Sequence, residues 1–351
     1  MNKKILFVAD SNSIHTAKWV DYFVNKDYAV YLATFSKVNN TKCQNIFYLS
    51  NNHIKSNGKN YHYLFSIKKL SNIIKDIKPN IVNAHFSYSM GFISLLAIKI
   101  SKINTRFSVV CHGSDILTPP LPFITNRINK YLLNRCDKVF VVSDQIKDRV
   151  ESFGVDSQKI FIGQYGIEVN RAKFNKKDID ILSNRAYIPN SRIDFLLESI
   201  DKLDNKELNI IFVLPNISNN DFEKISHKYP YIKFYKKIEY NKMINLISRT
   251  KVYISATLSD GTSLSLLEAL NFQTIPLVSN IISNRSWILD GINGYLFNNQ
   301  IDFIKKLNQI LLLKKDDLDN LYKTNNLLLL NRCDYKKQIK KIEKFLIMDK
   351  V

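Results

Sequence analysis

Short apolar runs rich in β-branched and aromatic residues alternate with segments of helical spacing along the first half of the chain. KILFVAD is followed by HTAKWVDYFVNK and then by AVYLATF, and the same alternation leads through IVNAHF and FSVVCH to KVFVVS and KIFIGQY. Strands that read as continuous apolar runs are typical of a parallel sheet covered by helices on both faces. The pattern predicts one such α/β domain over residues 1–166.

The alternation is interrupted and then resumes in the second half. Residues 167–180 are polar and rich in Asn and Lys, which indicates a linker. Apolar runs such as NIIFVLP, VYISAT and TIPLVSN then alternate with helical segments, which predicts a second α/β domain over residues 181–325. Residues 326–351 read as a charged helical tail, which could pack back on the first domain.

The predicted fold class is therefore α/β, with two Rossmann-like, doubly wound parallel-sheet domains facing a central cleft. Ligands of such sheets bind outside the carboxyl ends of the strands. Neither half contains G-x-G-x-x-G or a P-loop, so the sequence has no fingerprint for a dinucleotide cofactor.

The sequence shows no pattern typical of a membrane span, a signal peptide or a pair of metal-binding cysteines. No apolar stretch approaches the roughly 18 residues of a membrane span, and the apolar run after MNKK is too short for a signal peptide. The four cysteines lie far apart without metal-ligand spacing. We therefore expect reduced thiols and a cytoplasmic protein.

The segment SATLSDGTSLSLLEALNFQTIPLVSN contains the most informative candidate chemistry. The strand VYISAT ends in a loop with Asp260 and Gly261, and Thr262 or Ser263 can cap a helix that begins near LSLLEAL. Amides at a helix N-terminus attract phosphate. Glu268 lies among leucines in that helix, so its carboxylate requires a partner if it is buried.

These residues resemble a known family. Asp260-x7-Glu268, followed by AL-x5-PLVSN and NRSWILDGINGYLF, is similar to the acidic-x7-Glu region of retaining GT-B glycosyltransferases, especially family 4 (glycosyl transferases group 1). FVADSNSIHTAKW, IVNAHF, CHGSD and YGIEVNRAKF also resemble family segments, the last of them a hinge strand. The motifs occur in the expected order across both predicted domains.

The resemblance implies a role for each matched residue on the donor side. Asp260 would bind the donor sugar, Glu268 the ribose, and Arg185 the diphosphate, while His112 would act from the other domain on the reacting sugar. Amides facing the diphosphate or sugar would come from the loop and first helical residue, namely Gly261, Thr262, Ser263 and Leu264. The resemblance implies no metal and no cofactor, since the nucleotide-sugar is a co-substrate.

The sequence departs from the family pattern at two places. Ser191 stands where a diphosphate-binding lysine is usual, and the adjacent Arg192 is the candidate replacement. The usual Gly-Gly turn after the first strand is replaced by a segment from Ser11 to His15. The acceptor-side candidates are Asn12, His15, His85 and Asp115. For Asn12, His15 and His85, a capping or packing role is an equal alternative.

The charge of the chain bears on its partners. The formal charge is +20, and seven basic residues but one acidic residue, Asp115, occur from Lys78 to Arg135. The stretch LTPPLPFITNRINKYLLNR mixes apolar and basic residues as an interfacial segment would. We hypothesise peripheral contact with the inner face of an anionic plasma membrane and a lipid-linked acceptor; a solvated basic face is the alternative.

The resemblance implies a metal-independent, retaining hexosyl- or related glycosyltransferase. It would use a nucleotide-sugar, with UDP favoured, and a glycan or polyprenyl-linked acceptor in bacterial surface polysaccharide (lipopolysaccharide or capsule) biosynthesis. A GT-B-shaped NDP-sugar epimerase and a non-catalytic partner subunit remain alternatives. The basic residues are dispersed and form no nucleic-acid-binding module, so we expect no nucleic-acid partner.

Overall fold

The computed structural model describes residues 3–50, 61–164, 166–169, 176–203, 205, 207–313 and 315–348. These residues form two compact units. Unit 1 comprises residues 1–166 together with 336–351, and unit 2 comprises residues 167–335. The interior of the predicted linker and part of the predicted hinge strand, residues 165 and 170–175, lie outside the described residues.

Unit 1 contains seven parallel strands among its described residues, in the order β3-β2-β1-β4-β5-β6-β7. Their cores are apolar, and Ile5 to Val8 of β1 have no solvent exposure. The strands are β1 (Lys4–Val8), β2 (Ala29–Thr34), β3 (Ile46–Tyr48), β4 (Ile81–His85), β5 (Arg106–Cys111), β6 (Lys138–Val141) and β7 (Ile160–Ile162). The helices are α1 (Ile14–Val24), α2 (Ile67–Ile77), α3 (Phe92–Ser101), α4 (Pro122–Leu133) and α5 (Asp144–Glu151).

Unit 2 repeats this arrangement with six parallel strands among its described residues, in the order β10-β9-β8-β11-β12-β13. The strands are β8 (Ile179–Ser183), β9 (Ile210–Val213), β10 (Lys233–Tyr235), β11 (Thr250–Ser255), β12 (Ile275–Ser279) and β13 (Tyr295–Phe297). The helices are α6 (Ile193–Asp201), α7 (Asn219–Lys228), α8 (Tyr240–Ser248), α9 (Leu264–Asn271), α10 (Ile282–Arg285), α11 (Gln300–Leu311) and α12 (Lys315–Arg332).

The last helix, α13 (Tyr335–Ile347), packs on unit 1 although it follows unit 2 in the chain. The ring of Phe345 lies 5.3 Å from that of Phe140 in β6. Tyr22 and Tyr28 both donate hydrogen bonds to the carboxylate of Glu343. The C-terminal residues thus complete the core of the N-terminal sheet.

The strand order creates one reversal point in each sheet. In unit 1 it lies between β1 and β4, and in unit 2 between β8 and β11. Loops that leave the carboxyl ends of such neighbouring strands run apart, which leaves room for a ligand at that edge. The candidate site residues follow these strands in unit 2, and in unit 1 they follow β1, β4 and the neighbouring β5. Among the described residues, no helix is both long and apolar enough to cross a bilayer.

Candidate active site

In unit 2 an ion pair joins the loops that follow β8 and β11. Arg185 Nη2 donates to Asp260 Oδ2 at 2.8 Å, and both side chains are about four-fifths buried, with 18% and 21% exposed. Arg185 Nη1 donates to Ser263 Oγ at 3.0 Å. Burial disfavours the charged form of Arg185, but Asp260 and Tyr253 together outweigh the effect of burial and raise the pKa of the guanidinium. Arg185 is thereby held as a cation beside the start of α9.

Ser263 caps α9, as one of the two sequence alternatives predicted. Its Oγ accepts a hydrogen bond from the amide of Leu266, and Leu264 is the first helical residue. Thr262 instead donates its hydroxyl to the Gly261 carbonyl. The loop therefore delivers Asp260 and the first turn of α9 to one place, where the orphan amides of the turn favour an anion.

Glu268 is 8% exposed, so the surrounding leucines do bury it. Its Oε1 accepts a hydrogen bond from the hydroxyl of Tyr240 at 2.9 Å. Burial, and then the neighbouring carboxylate, raise the pKa of Tyr240, which therefore remains a donor at neutral pH. Sequence reasoning missed Tyr240, because no motif links the start of α8 to α9.

Asn190 fastens the two loops of this cluster together. Its side-chain amide donates to the carbonyl of Ser259 at 2.9 Å and its oxygen accepts the Ser259 amide at 3.1 Å. Its own carbonyl accepts the amide of Leu258. An asparagine in a polar loop carries no sequence signal for such a role, so it too was missed.

Ser191 and Arg192 lie in the segment between β8 and α6, where the family usually has a lysine. Ser191 is buried, with 2% exposure, and ends a short 3-10 turn. Arg192 precedes α6 in the left-handed backbone conformation, with φ 50°. Its guanidinium lies 4.2 Å from the ring centroid of Phe195. Arg192 is thus the N-cap of α6, directly before the first helical residue.

In unit 1 three histidines gather at the carboxyl ends of β1, β4 and β5. His85 ends β4, His112 follows β5, and their Nδ1 and Nε2 atoms lie 3.2 Å apart. The rings of His15 and His112 have centroids 6.0 Å apart. Burial lowers the pKa of His85 to about 3 and, with the neighbouring histidines, lowers that of His112. Both rings are neutral near pH 7.

The backbone around His112 is held by Asp115. The Asp115 carboxylate accepts hydrogen bonds from the amides of Ser87, His112 and Gly113. Burial raises the pKa of Asp115, although these amides act in the opposite direction. Asp115 is only 1% exposed. The structure therefore places it beneath the histidine loop as a buried anchor, and its role on the acceptor side stays a prediction.

Phe86 forms one wall of the histidine cluster. Its ring stacks on that of His112 at 4.2 Å between centroids. Its φ of 71° is unusual for a residue with a large side chain. Such backbone conformations persist where the surroundings enforce them, often at functional sites. The sequence carries no signal for this strain.

Asn12 lies apart from these hydrogen bonds. It is exposed, and its side-chain oxygen and carbonyl accept hydrogen bonds from Asn40. Its amide is bonded to Asp10. Asn12 therefore shapes the turn after β1. Among the described residues, no group of three or more His, Cys, Asp or Glu side chains could hold a metal ion.

Two family models match the chain. The model described as glycosyl transferase 4-like matches residues 4–143, and that described as glycosyl transferases group 1 matches residues 167–342. The chain belongs to the group 1 glycosyltransferases. This confirms the family and fold class inferred from the sequence: two parallel-sheet α/β domains of the GT-B type.

Known proteins similar to this group 1 glycosyltransferase match between 82% and 98% of the chain. An uncharacterized glycosyltransferase of Methanocaldococcus jannaschii is 19% identical over 82% of this chain and 81% of its own length. The sucrose-phosphate synthase of Thermosynechococcus elongatus has a TM-score of 0.81 at 11% identity, covering 98% of both chains. Anabaena HepE, solved with UDP and glucose, has a TM-score of 0.79 at 12% identity, covering 98% of this chain and 99% of its own.

Proposed function

We propose that this chain transfers a sugar from a nucleotide-sugar, with a UDP-sugar favoured, to a hydroxyl of a glycan or lipid-linked glycan, with retention at the anomeric carbon. The observation that carries the proposal is the contact of Arg185 with Asp260 and Ser263 at the start of α9. A cation, a carboxylate and free helix amides are the groups that a sugar diphosphate requires. The HepE complex with UDP and glucose supports the choice of donor.

Each donor contact follows from the chemistry of its residue. The planar guanidinium of Arg185 suits a departing diphosphate, because it can donate two parallel hydrogen bonds to phosphate oxygens. Asp260 accepts hydrogen bonds from sugar hydroxyls, and Glu268 accepts them from the ribose. The two carboxylates then recognise different parts of one ligand.

The reaction breaks the bond between the anomeric carbon and the diphosphate and forms a bond to the acceptor oxygen on the same face. The acceptor proton passes to the leaving phosphate oxygen, so no protein nucleophile is required. Arg185 and the amides of the first turn of α9 stabilise the charge that develops on the diphosphate without a metal. His112, neutral at pH 7, can hydrogen-bond the reacting sugar, and its role stays a prediction from the family resemblance.

Surface polysaccharide assembly is the proposed biological setting, with the protein at the cytoplasmic face of the plasma membrane. The support is the abundance of basic residues between Lys78 and Arg135, which suits an anionic membrane where lipid-linked acceptors reside.

A thermal-shift screen against UDP-, GDP- and ADP-sugars tests the donor, because a ligand that binds the native state raises the melting temperature. We expect a UDP-sugar to give the largest shift and NMR of the product to show a retained anomer. Asp260→Ala and Glu268→Ala should abolish transfer, whereas Asp319→Ala and Glu223→Ala, at exposed helical positions, should not. Donor conversion without acceptor would indicate an epimerase, and unchanged behaviour of all four variants a non-catalytic subunit.

A further inference from the structure

Large apolar side chains are exposed at two segments of unit 1. Leu64 and Phe65, in the turn before α2, are 38% and 88% exposed. Leu121, Phe123 and Ile124, at the start of α4, are 58%, 71% and 54% exposed. We call these five residues the carboxyl-edge patch. Clustered exposed apolar side chains mark interaction surfaces, whereas isolated ones need no explanation.

The two segments lie at the same edge of the sheet. The helices α2 and α4 each lead into a parallel strand, so each begins at the carboxyl edge and runs back along the sheet. The turn at residues 87–91 connects them in space. Tyr63 Oη lies 3.5 Å from the Tyr88 carbonyl, and Ser87 Oγ donates to Asn129 of α4 at 2.8 Å.

The start of α4 is built to present its apolar residues. Leu121 has a φ of 49°, and Pro122 then opens the helix. Thr125 and Asn129 face inward, with 7% and 0% exposure. The outer side of the first turn therefore belongs to Phe123 and Ile124, on a helix whose inner side is anchored by hydrogen bonds to Ser87 and the Asp115 carbonyl.

Exposed cations border the patch. Lys68 and Lys69 follow it in α2, and Arg127 and Lys130 follow it in α4. Arg127 lies 4.1 Å from the centroid of the Phe123 ring. Cations beside exposed aromatic and aliphatic side chains complement an anionic lipid surface, which takes up both.

Acidic residues do not offset this charge. Asp115 is buried beneath the histidine loop and 1% exposed. Asp76 is exposed near the end of α2, and therefore lies toward the opposite edge of the sheet. Within residues 61–135 these are the two acidic residues. The carboxyl-edge patch is thus bordered by positive charge alone among these residues.

We propose that the carboxyl-edge patch inserts into the headgroup region of an anionic bilayer, with Lys68, Lys69, Arg127 and Lys130 on the lipid phosphates. This inference rests on the proposed membrane location and deepens it, because it names the surface that makes the contact. Vesicle binding is measured without donor or acceptor, so it can fail while sugar transfer is retained. A bilayer is the expected partner because a flat anionic surface accommodates apolar and basic side chains together. The carboxyl-edge patch and its four bordering cations provide both kinds of side chain.

Vesicle co-sedimentation tests the proposal. We expect the full chain to bind vesicles of phosphatidylglycerol and phosphatidylcholine at low salt, and to bind pure phosphatidylcholine weakly. The double variant Arg127→Gln/Lys130→Gln should lower the partition coefficient by about tenfold to thirtyfold. Lys305→Gln/Lys323→Gln is the matched control, since it removes two exposed cations of unit 2. Equal loss in both double variants would overturn the proposal, because it would show a dispersed charge effect.

Insertion is tested by fluorescence. The native Trp19 and Trp287 are 2% and 3% exposed, so brominated lipid cannot reach them, and any quenching reports on the added tryptophan. Phe123→Trp should be quenched by brominated phosphatidylglycerol, and Leu312→Trp, at an 81% exposed position of unit 2, should not. Unquenched Phe123→Trp would contradict insertion. A wild-type dimer that Phe123→Ser dissociates, with vesicle binding unchanged, would assign the patch to a second copy.

Discussion

The Nε2 atom of His112 lies 3.2 Å from the Nδ1 atom of His85, so a single proton can be shared between the two rings. His85 is 1% exposed, and Trp19 packs edge-on against it with ring centroids 5.3 Å apart. The contact between the two rings persists only while both are neutral, because a positive charge on the buried ring of His85 would have no solvent to stabilise it.

This relationship predicts that unit 1 loses stability in acid. Burial lowers the pKa of His85 to about 3, whereas an unfolded histidine titrates near pH 6.5. Between these values the unfolded chain binds the extra proton, so stability is fully present above about pH 6.5 and falls as the pH falls toward 3. His85 should contribute a slope that approaches about 1.4 kcal/mol per pH unit in that window.

Urea unfolding followed by Trp19 fluorescence, in a Trp287→Phe background, measures this slope. His85→Gln should reduce the loss of stability between about pH 6.5 and pH 3, which we call the acid limb, because it removes the titrating group. This holds even if the substitution lowers stability at pH 7. His227→Gln, at an exposed position of unit 2, should leave the limb unchanged. An unaltered limb in His85→Gln would exclude the buried neutral pair as its cause.

The Arg185–Asp260 ion pair predicts opposite effects on binding and on transfer. Asp260→Asn keeps the size of the side chain but removes the charge that occupies Arg185. The guanidinium is then free for phosphate, so UDP should bind about threefold to tenfold more tightly. Transfer should still fall by at least about 100-fold, since the carboxylate no longer binds the sugar.

Isothermal titration with UDP and a transfer assay separate these effects. Arg185→Lys is the matched comparison. It should weaken the binding of UDP, because lysine cannot make the bidentate contact of a guanidinium with phosphate. Weaker UDP binding by Asp260→Asn would mean that the carboxylate serves to hold the loop. It would contradict the proposal that Arg185 binds the diphosphate while Asp260 binds the sugar.

The hydrogen bond between Tyr240 and Glu268 predicts a donor-specific defect. Tyr240→Phe removes the hydroxyl that orients the carboxylate but keeps the ring. We expect the KM for the donor to rise by about threefold to tenfold, because a hydrogen bond to a charged group is worth about 1.5–3 kcal/mol and solvent replaces part of it. The KM for the acceptor should not change.

Steady-state kinetics with each substrate varied in turn measure both constants. Tyr235→Phe, at another partly exposed tyrosine of unit 2, is the control. If Tyr240→Phe altered both constants equally, a general loss of folded enzyme would explain the result better than a contact with the donor.

Two turn glycines of unit 2 predict an order of stability losses. A Cβ on Gly294 would lie 2.5 Å from Pro276 Cγ and 3.1 Å from Ile288 Cδ1, so Gly294→Ala forces the backbone to move. Gly291 has open space but a φ of 77°. We expect Gly294→Ala to cost about 1–3 kcal/mol and Gly291→Ala about 1 kcal/mol.

Urea unfolding followed by Trp287 fluorescence, in a Trp19→Phe background, reports on unit 2. A larger loss for Gly291→Ala than for Gly294→Ala would show that the contact with Pro276 relaxes easily. Donor affinity should be retained in both variants, because neither glycine belongs to the proposed site.

The sequence predicted the sheets well because buried parallel strands leave a strong apolar signal. KILFVAD and VYISAT read as strands, and they contain β1 (Lys4–Val8) and most of β11 (Thr250–Ser255). The start of β8 was placed less well, since Ile179 lies within the segment predicted as a linker. The local pattern also offered Ser263 as one of two possible caps, and it placed Glu268 among the leucines that bury it. Local patterns suffice where neighbouring residues in the chain determine the structure.

Contacts between distant segments were not predictable in the same way. Tyr240 reaches Glu268 across 28 positions, and Asn190 reaches Ser259 across 69. The strained φ of Phe86 depends on its surroundings and not on its own residue type. These features arise only when the sheet brings separate loops to one edge. The local sequence around each residue therefore does not indicate them.

The return of α13 to unit 1 affects the order in which the chain can fold during synthesis. Phe345 of α13 stacks on Phe161, and Lys138 donates a hydrogen bond to the Phe345 carbonyl, so strands β6 and β7 lack part of their cover until α13 has been made. Nascent domains usually fold from the N-terminus onward. Here all of unit 2 is synthesised before α13, so unit 1 keeps an apolar face uncovered for that time and a chaperone can bind to it.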